Sequence, residues 1–165
     1  MYIDYITRDD YAELMIIWRS QSDKASGYIF GIPYKTEIYE MIDEKRFLCV
    51  RDNNKMIAIC GFKVQKRNPI VKLCNIWVDP NYRRKRIATT MMAEVLKRVD
   101  ESYYPVISCK DGAENNSFYE SLKLQNYTIK STNVMKVRTY ILDREKINNK
   151  INIELKFTNQ GGNKE

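Results

Sequence analysis

The spacing of apolar residues along the chain changes period several times, and each change marks an element. Residues 2–7, YIDYIT, alternate apolar and polar as a half-buried strand does. Thr7, with Asp10 three positions on, has the spacing of a capping pair, and AELMIIWRSQ behind it sets Leu14, Ile17 and Trp18 on one helical face. An aromatic loop, SDKASGYIFGIPY (22–34), follows with Gly27, Gly31 and Pro33 as punctuation, and Thr36–Lys45 reads as a second, shorter helix. FLCVR (47–51) and KMIAICGFKVQ (55–65) are strand-like and flank Asp52-Asn53-Asn54, whose asparagines tolerate the positive φ of a tight hairpin turn. A third strand, IVKLCNIWVD (70–79), stops at Pro80.

Beyond Pro80 the period lengthens. Ile87, Met91, Val95 and Val99 recur every fourth residue, which predicts a long helix over 83–99. PVISC (105–109) is a short buried strand, and Asp111-Gly112 turns into a helix over ENNSFYESLKL. NYTIK and VMKVRTYIL form a closing hairpin. In the tail, Ile151, Ile153, Leu155 and Phe157 alternate as an edge strand would, and TNQGGNKE is expected to be disordered. The order β-α-α-β-β-β-α-β-α-β-β predicts an α/β (α+β) fold: a mixed, mostly antiparallel central sheet with helices on both faces. No repeat or second domain is visible, so residues 1–143 form the domain and 144–165 a C-terminal extension.

Composition narrows the chemistry. The 165 residues suffice for one core, and the formal charge of +7 suits an anionic partner: a phosphorylated cofactor, a nucleic acid or a membrane surface. A lysine-rich surface that only aids solubility is the plainer alternative. There is no histidine, which removes the commonest general base, the usual hydrolytic triads and most metal sites. Cys49, Cys60, Cys74 and Cys109 lie in apolar stretches without metal or redox spacing, as reduced core thiols of a cytoplasmic protein would. No apolar run reaches membrane-spanning length, and the first residues do not open a signal peptide.

One stretch stands against ordinary helix electrostatics. In NYRRKRIATTMM, Arg83, Arg84, Lys85 and Arg86 crowd a predicted helix start, where the macrodipole is already positive. A strand feeding a helix N-terminus is a place where free N–H groups converge on an anion. A bound phosphate would satisfy those groups and neutralise the cations, with hydroxyls of Thr89 and Thr90 as further donors; a solvated basic patch is the other reading.

IWVDPNYRRKRIATTMM resembles the acetyl-coenzyme A signature of the GNAT acyltransferase superfamily. There a strand ends in Val-x-Pro and a turn of the form Arg/Gln-x-x-Gly-x-Gly/Ala opens the helix. Arg83 takes the first place, Arg86 that of the first glycine, Ala88 the last, and Arg84 stands where relatives often carry another glycine. The resemblance covers roughly residues 2–142. It implies that acetyl-coenzyme A is the acyl donor. Its pyrophosphate would lie on N–H groups and side chains of Arg83, Arg84, Lys85, Arg86, Ile87, Ala88 and Thr89. Backbone groups of Ile76 and Val78, with Trp77 between them, would meet the pantetheine arm. Glycine allows close backbone approach to a phosphate, whereas arginine can pair with it directly.

FYESLKL is similar to the family's Leu-Tyr-Glu-Lys-Leu-Gly-Phe pattern, which makes Tyr119 the candidate acid for the leaving thiolate and puts Lys123 at the glycine. A second register, with Asn126-Tyr127 on Gly-Phe, puts Asn115 at the coenzyme-contacting asparagine but Leu122 at the tyrosine. The general base is open among Asp79 and Asp111, with a water chain or a substrate amine that is already neutral needing none, and Cys109 is a core thiol or an acyl carrier. Tyr28, Phe30 and Tyr34 offer flat surfaces to an acceptor, or merely plug the loop. The acceptor is an amine on a small molecule, a protein or RNA, and the protein a monomer or homodimer. The alternative function is a GNAT-fold protein that modifies or binds nucleic acid, such as aminoacyl-tRNA, with an altered or lost coenzyme A site.

Overall fold

Consecutive hairpins and one crossover generate the architecture. The computed structural model describes residues 1–22, 33–113, 115–131, 136–151 and 155–157. In chain order these form β1 (Tyr2–Tyr5), α1 (Tyr11–Ser22), α2 (Lys35–Asp43), β2 (Phe47–Asp52), β3 (Lys55–Gln65), β4 (Ile70–Val78) and α3 (Ile87–Leu96). Then come β5 (Tyr104–Lys110), α4 (Asn116–Glu120), β6 (Lys123–Ser131), β7 (Lys136–Leu142), α5 (Arg144–Asn148) and β8 (Lys156–Phe157). One eight-stranded sheet runs β6-β7-β5-β4-β3-β2-β1-β8. The β4–β5 and β1–β8 pairs are parallel and the rest antiparallel. This is the mixed, mostly antiparallel sheet that the element order predicts.

Alternation along the strands loads both faces. In β2, Phe47 and Cys49 pack with Leu14 and Trp18 of α1 and with Ile38 and Ile42 of α2. Leu48 and Val50 point the other way, onto Met91, Met92 and Val95 of α3 and Ile147 of α5. Helices therefore cover both faces, and burial of these side chains is the main source of stability. The Asn53-Asn54 turn has φ of 48° and 64°, the left-handed pair of a type I′ hairpin. The Thr7 N–H and hydroxyl both donate to the Asp10 carboxylate, at 2.8 and 3.0 Å.

Several boundaries move. The helix expected over 83–99 starts at Ile87 and ends at Leu96, because residues 83–86 form a turn with left-handed Arg84 and Arg86. The helix expected over 114–124 shrinks to α4, since Lys123 already pairs with Leu142 and the Asp143 N–H donates to the Leu122 carbonyl at 2.8 Å. The second helix ends at Asp43, and left-handed Lys45 (φ 54°) turns the chain. β1 stops at Tyr5, and a 3-10 turn at Arg8–Asp10 precedes α1. Of the expected tail strand, the described residues show β8 at Lys156–Phe157, with residues 152–154 outside them, while α5 adds a helix that periodicity did not suggest. Tyr28, Phe30 and residues 158–165 lie outside the described residues. Among those residues, no helix is long and apolar enough to cross a membrane.

Candidate active site

The site begins where two parallel strands part. β4 and β5 pair from Ile70–Tyr104 to Leu73–Ile107, and beyond that point no ladder joins them. On its other edge β4 stays bonded to β3, and its register slips between Ile59 and Gly61, opposite a left-handed Asn75 (φ 51°). The slip is a bulge, which bends β4 away from β5. A Cβ on Gly61 would meet Met41 Cε at 2.7 Å and Cys74 Sγ at 3.3 Å, so this crossing of β3, β4 and α2 is as close as glycine allows.

Past the bulge, the Asp79 N–H donates to the Ile57 carbonyl at 2.8 Å, and Trp77 lies opposite Ile59. Alternation then aims the N–H and C=O groups of Ile76 and Val78 into the gap. Arg83 Nε donates to the Val78 carbonyl at 3.2 Å, so one of those acceptors is already engaged.

The basic turn closes one end of the gap. Arg86, the residue that precedes α3, makes no side-chain cap, and the first intrahelical bond is Thr90 N–H to Arg86 carbonyl at 3.0 Å. The N–H groups of Ile87, Ala88 and Thr89 are thus unspent within the helix and converge with the macrodipole. Arg84 and Arg86 have φ of 65° and 59°, the conformation that explains glycine at these places in the resembled signature. Thr90 is not an available donor, because its hydroxyl already bonds the Arg86 carbonyl at 2.9 Å.

A cavity of about 1090 Å³ fills the gap. Ile76, Trp77, Val78, Arg83, Arg84, Arg86, Ile87, Ala88, Thr89, Asn115 and Tyr119 all line it. Lys85 does not; its ammonium sits over the Tyr82 ring at 4.9 Å. Asn115 and Tyr119, which belong to different sequence registers, are one helical turn apart and line the same cavity. Asn115 Oδ1 is buried with no partner among the described residues. An acceptor stranded beside unspent N–H groups and three arginines fits a ligand with both amide donors and phosphates, as coenzyme A has.

Tyr119 is 3% exposed, wedged between the rings of Phe118 (5.2 Å) and Tyr140 (5.9 Å). A half-buried network holds its helix. Asn116 Nδ2 donates to the Lys110 carbonyl at 3.0 Å, while Asn116 Oδ1 accepts from the Tyr140 hydroxyl at 2.9 Å and Cys109 Sγ at 3.0 Å. Burial pushes the Cys109 thiol up to about 11 and the Tyr140 phenol up to about 12, so both stay protonated at neutral pH. A protonated, hydrogen-bonded Cys109 is a poor acyl carrier. Asp79 accepts from the Asn81 N–H at 2.9 Å and is held below its ordinary value chiefly by that bond; Asp111 pairs with Arg138. Neither carboxylate lines the cavity.

The opposite end carries residues that no motif marks: Glu37 of α2, Lys63 of β3 and Lys72 of β4, beside Tyr34, which is 84% exposed. Lys150, from the segment after α5, also reaches the lining. Its Nζ donates to the Ser121 carbonyl and Oγ at 3.3 and 2.7 Å, and its own carbonyl accepts from Arg86 Nη1 at 3.2 Å. Only spatial proximity could have found these residues.

Comparison with known proteins places the fold. The chain shares its fold with the N-acetylglutamate synthase of Neisseria gonorrhoeae, whose structure holds coenzyme A and N-acetyl-glutamate (TM-score 0.63, 7% identity, 86% of this chain but 35% of that one). The present chain thus spans about a third of that enzyme. It covers nearly all of a GNAT-family acetyltransferase of Streptococcus pneumoniae (TM-score 0.62, 13% identity, 86% of this chain and 98% of that one). The same holds for the PaiA N-acetyltransferase of Thermoplasma acidophilum in complex with coenzyme A (TM-score 0.57, 16% identity, 84% and 97%). No curated protein sequence matches the chain. The sequence pattern of the Acetyltransferase (GNAT) family matches residues 10–123, more than half the chain, and the protein belongs to that family.

Proposed function

We propose that the protein is an N-acetyltransferase that moves an acetyl group from acetyl-coenzyme A to a primary amine. One observation carries this reading: the gap between β4 and β5 holds unspent helix N–H groups and arginines at one end and Asn115 and Tyr119 along its side. Acetyl-coenzyme A, when bound, supplies an activated acetyl thioester. The N–H groups of Ile87, Ala88 and Thr89, with Arg83, Arg84 and Arg86, would hold its phosphates. Asn115 Oδ1 would accept a hydrogen bond from an amide N–H of the pantetheine arm, and the Ile76 and Val78 backbone would align that arm as an added strand does. Tyr119 would hold a proton next to the departing sulfur, as a general acid does. Four unbridged cysteines suit a reducing, cytoplasmic setting.

Calorimetric titration with acetyl-coenzyme A tests the reading. Binding to the native protein, lost in Arg84→Glu/Arg86→Glu with the fold intact, is the expected result. Tyr119→Phe should lower kcat about 10²- to 10⁴-fold while leaving that binding in place. A native protein that is folded, free of co-purified ligand and unable to bind acetyl-coenzyme A overturns the proposal.

A further inference from the structure

An acetyl group delivered between β4 and β5 needs an amine on the far side of the gap, and the chain puts one there itself. Gly61 and Lys63 lie on one face of β3, two residues apart, with Cys74 opposite Gly61 on β4. α2 covers that face: Met41 Cε comes within 2.7 Å, and Cys74 Sγ within 3.3 Å, of where a Cβ on Gly61 would stand. Glu37 is four residues before Met41 and so on the same side of α2. Its carboxylate forms an ion pair with Lys63 Nζ. Cys74 precedes the left-handed Asn75 at which β4 bends away from β5. Burial raises the Cys74 thiol most, while Lys63 and Lys72 lower it and Glu37 raises it, so these charges lie close to the mouth of the gap. Among the described residues, Lys63, Lys72 and Lys150 are the lysines that line the cavity, and Glu37 is the only carboxylate. Lys150 Nζ is held by Ser121, at the other end.

We propose that the protein acetylates its own Lys63, which makes this lysine a modification site inside the acceptor end of the cavity. The proposal rests on the acetyltransferase reading. Lys63 combines a primary amine on a flexible four-carbon stem with a carboxylate already in contact with its protons. The Lys63 and Glu37 side chains are 42% and 39% exposed, so their ion pair is weak and opens readily. Glu37 takes one proton from the ammonium, and the neutral Nζ forms a bond to the acetyl carbon. The carbon–sulfur bond breaks, and the sulfur keeps its electron pair and takes a proton from Tyr119, which gives coenzyme A as the thiol. The second proton that Nζ sheds restores Tyr119 through water, and the proton on Glu37 passes to solvent. The acetylated side chain carries no charge, so Glu37 loses this ion pair and the acceptor end loses one positive charge.

The full chain, incubated with acetyl-coenzyme A and no other amine, is followed by intact mass and peptide mapping. A single acetyl group on Lys63 is expected, at a rate that saturates with acetyl-coenzyme A and does not depend on protein concentration. Lys63→Arg should abolish it, and Glu37→Gln should slow it about 10²-fold or more. Arg84→Glu/Arg86→Glu separates self-acetylation from chemical attack by the free thioester, because Lys63 should stay unmodified there. Acetyl-Lys63 already present in the native protein as purified, and missing from that double variant, supports the proposal equally. Equal labelling of Lys63 in the native protein and the double variant overturns it. Acetyl groups scattered over exposed lysines, or placed on Lys72 or Lys150 instead, also overturn it. Native protein that binds acetyl-coenzyme A in the calorimeter yet stays unlabelled at Lys63 overturns it while leaving the acetyltransferase reading standing. Absence of acetyl-coenzyme A binding overturns both.

Discussion

At the scale of single residues, Arg84 and Arg86 occupy a conformation that costs an L-residue about 1–2 kcal/mol each, and both line the cavity. Strain of this kind persists where the surroundings use it. Arg84→Gly should therefore leave stability unchanged or raise it by up to about 1 kcal/mol, some 2–4 °C in melting temperature. Affinity for acetyl-coenzyme A should fall in the same variant, so melting and calorimetry should move in opposite directions. The thiols make a second residue-scale prediction. Burial pushes Cys49 up to about 12 and Cys74 up to about 11, from an ordinary 9.0. A folded-state value above the unfolded one gives stability that is complete below about pH 9 and lost as pH rises toward 11–12. The urea midpoint should thus hold level from pH 7 to about 8.5 and decline above pH 9, and Cys49→Val should flatten part of that decline.

Elements differ in how far they were legible. β2 and β3 declare themselves because burial on both faces of the sheet writes short unbroken apolar runs, and the Asn53-Asn54 turn needs residues that tolerate positive φ. α4 was overdrawn because its apolar spacing continues into β6, where pairing with β7 outweighs helix propensity. The basic turn was legible as chemistry, from charge at the wrong helix end, yet its length was not, since left-handed arginines leave no glycine to mark the stop. Glu37, Lys63 and Lys72 sit on three elements, and nothing local joins them. Asn116 belongs to this scale because it ties α4 to β5 and β7. Asn116→Ala would remove this acceptor from the Tyr140 hydroxyl and should cost about 0.5–1.5 kcal/mol in chemical denaturation. Loosening the helix that carries Tyr119 should also lower kcat more than it raises KM.

For the whole molecule, the sheet and its two helical layers form one body into which the C-terminal segment is built. Ile147 of α5 is fully buried against the α3 side of the core, and Arg144 donates to the carbonyls of Leu96, Asp100 and Tyr103 at 3.3, 3.0 and 2.9 Å. Arg144 and Ile147, the first residues of the segment read from the sequence as a C-terminal extension, are therefore packed against the domain. Ile147→Ala should cost about 2–5 kcal/mol in urea denaturation, the range for a truncated core side chain, whereas an alanine substitution in a solvated tail would be silent.

The tie that Lys150 makes has a consequence in time. It runs from Arg86, before α3, to Ser121, after α4, and so spans the two walls of the gap between β4 and β5. Its bonds are exposed, each worth about 1 kcal/mol, so the tie opens and recloses many times for every global unfolding event. A long ligand lying beneath it would leave only during an opening. Lys150 would then act as a hasp, setting how long such a ligand dwells more than how tightly it is gripped.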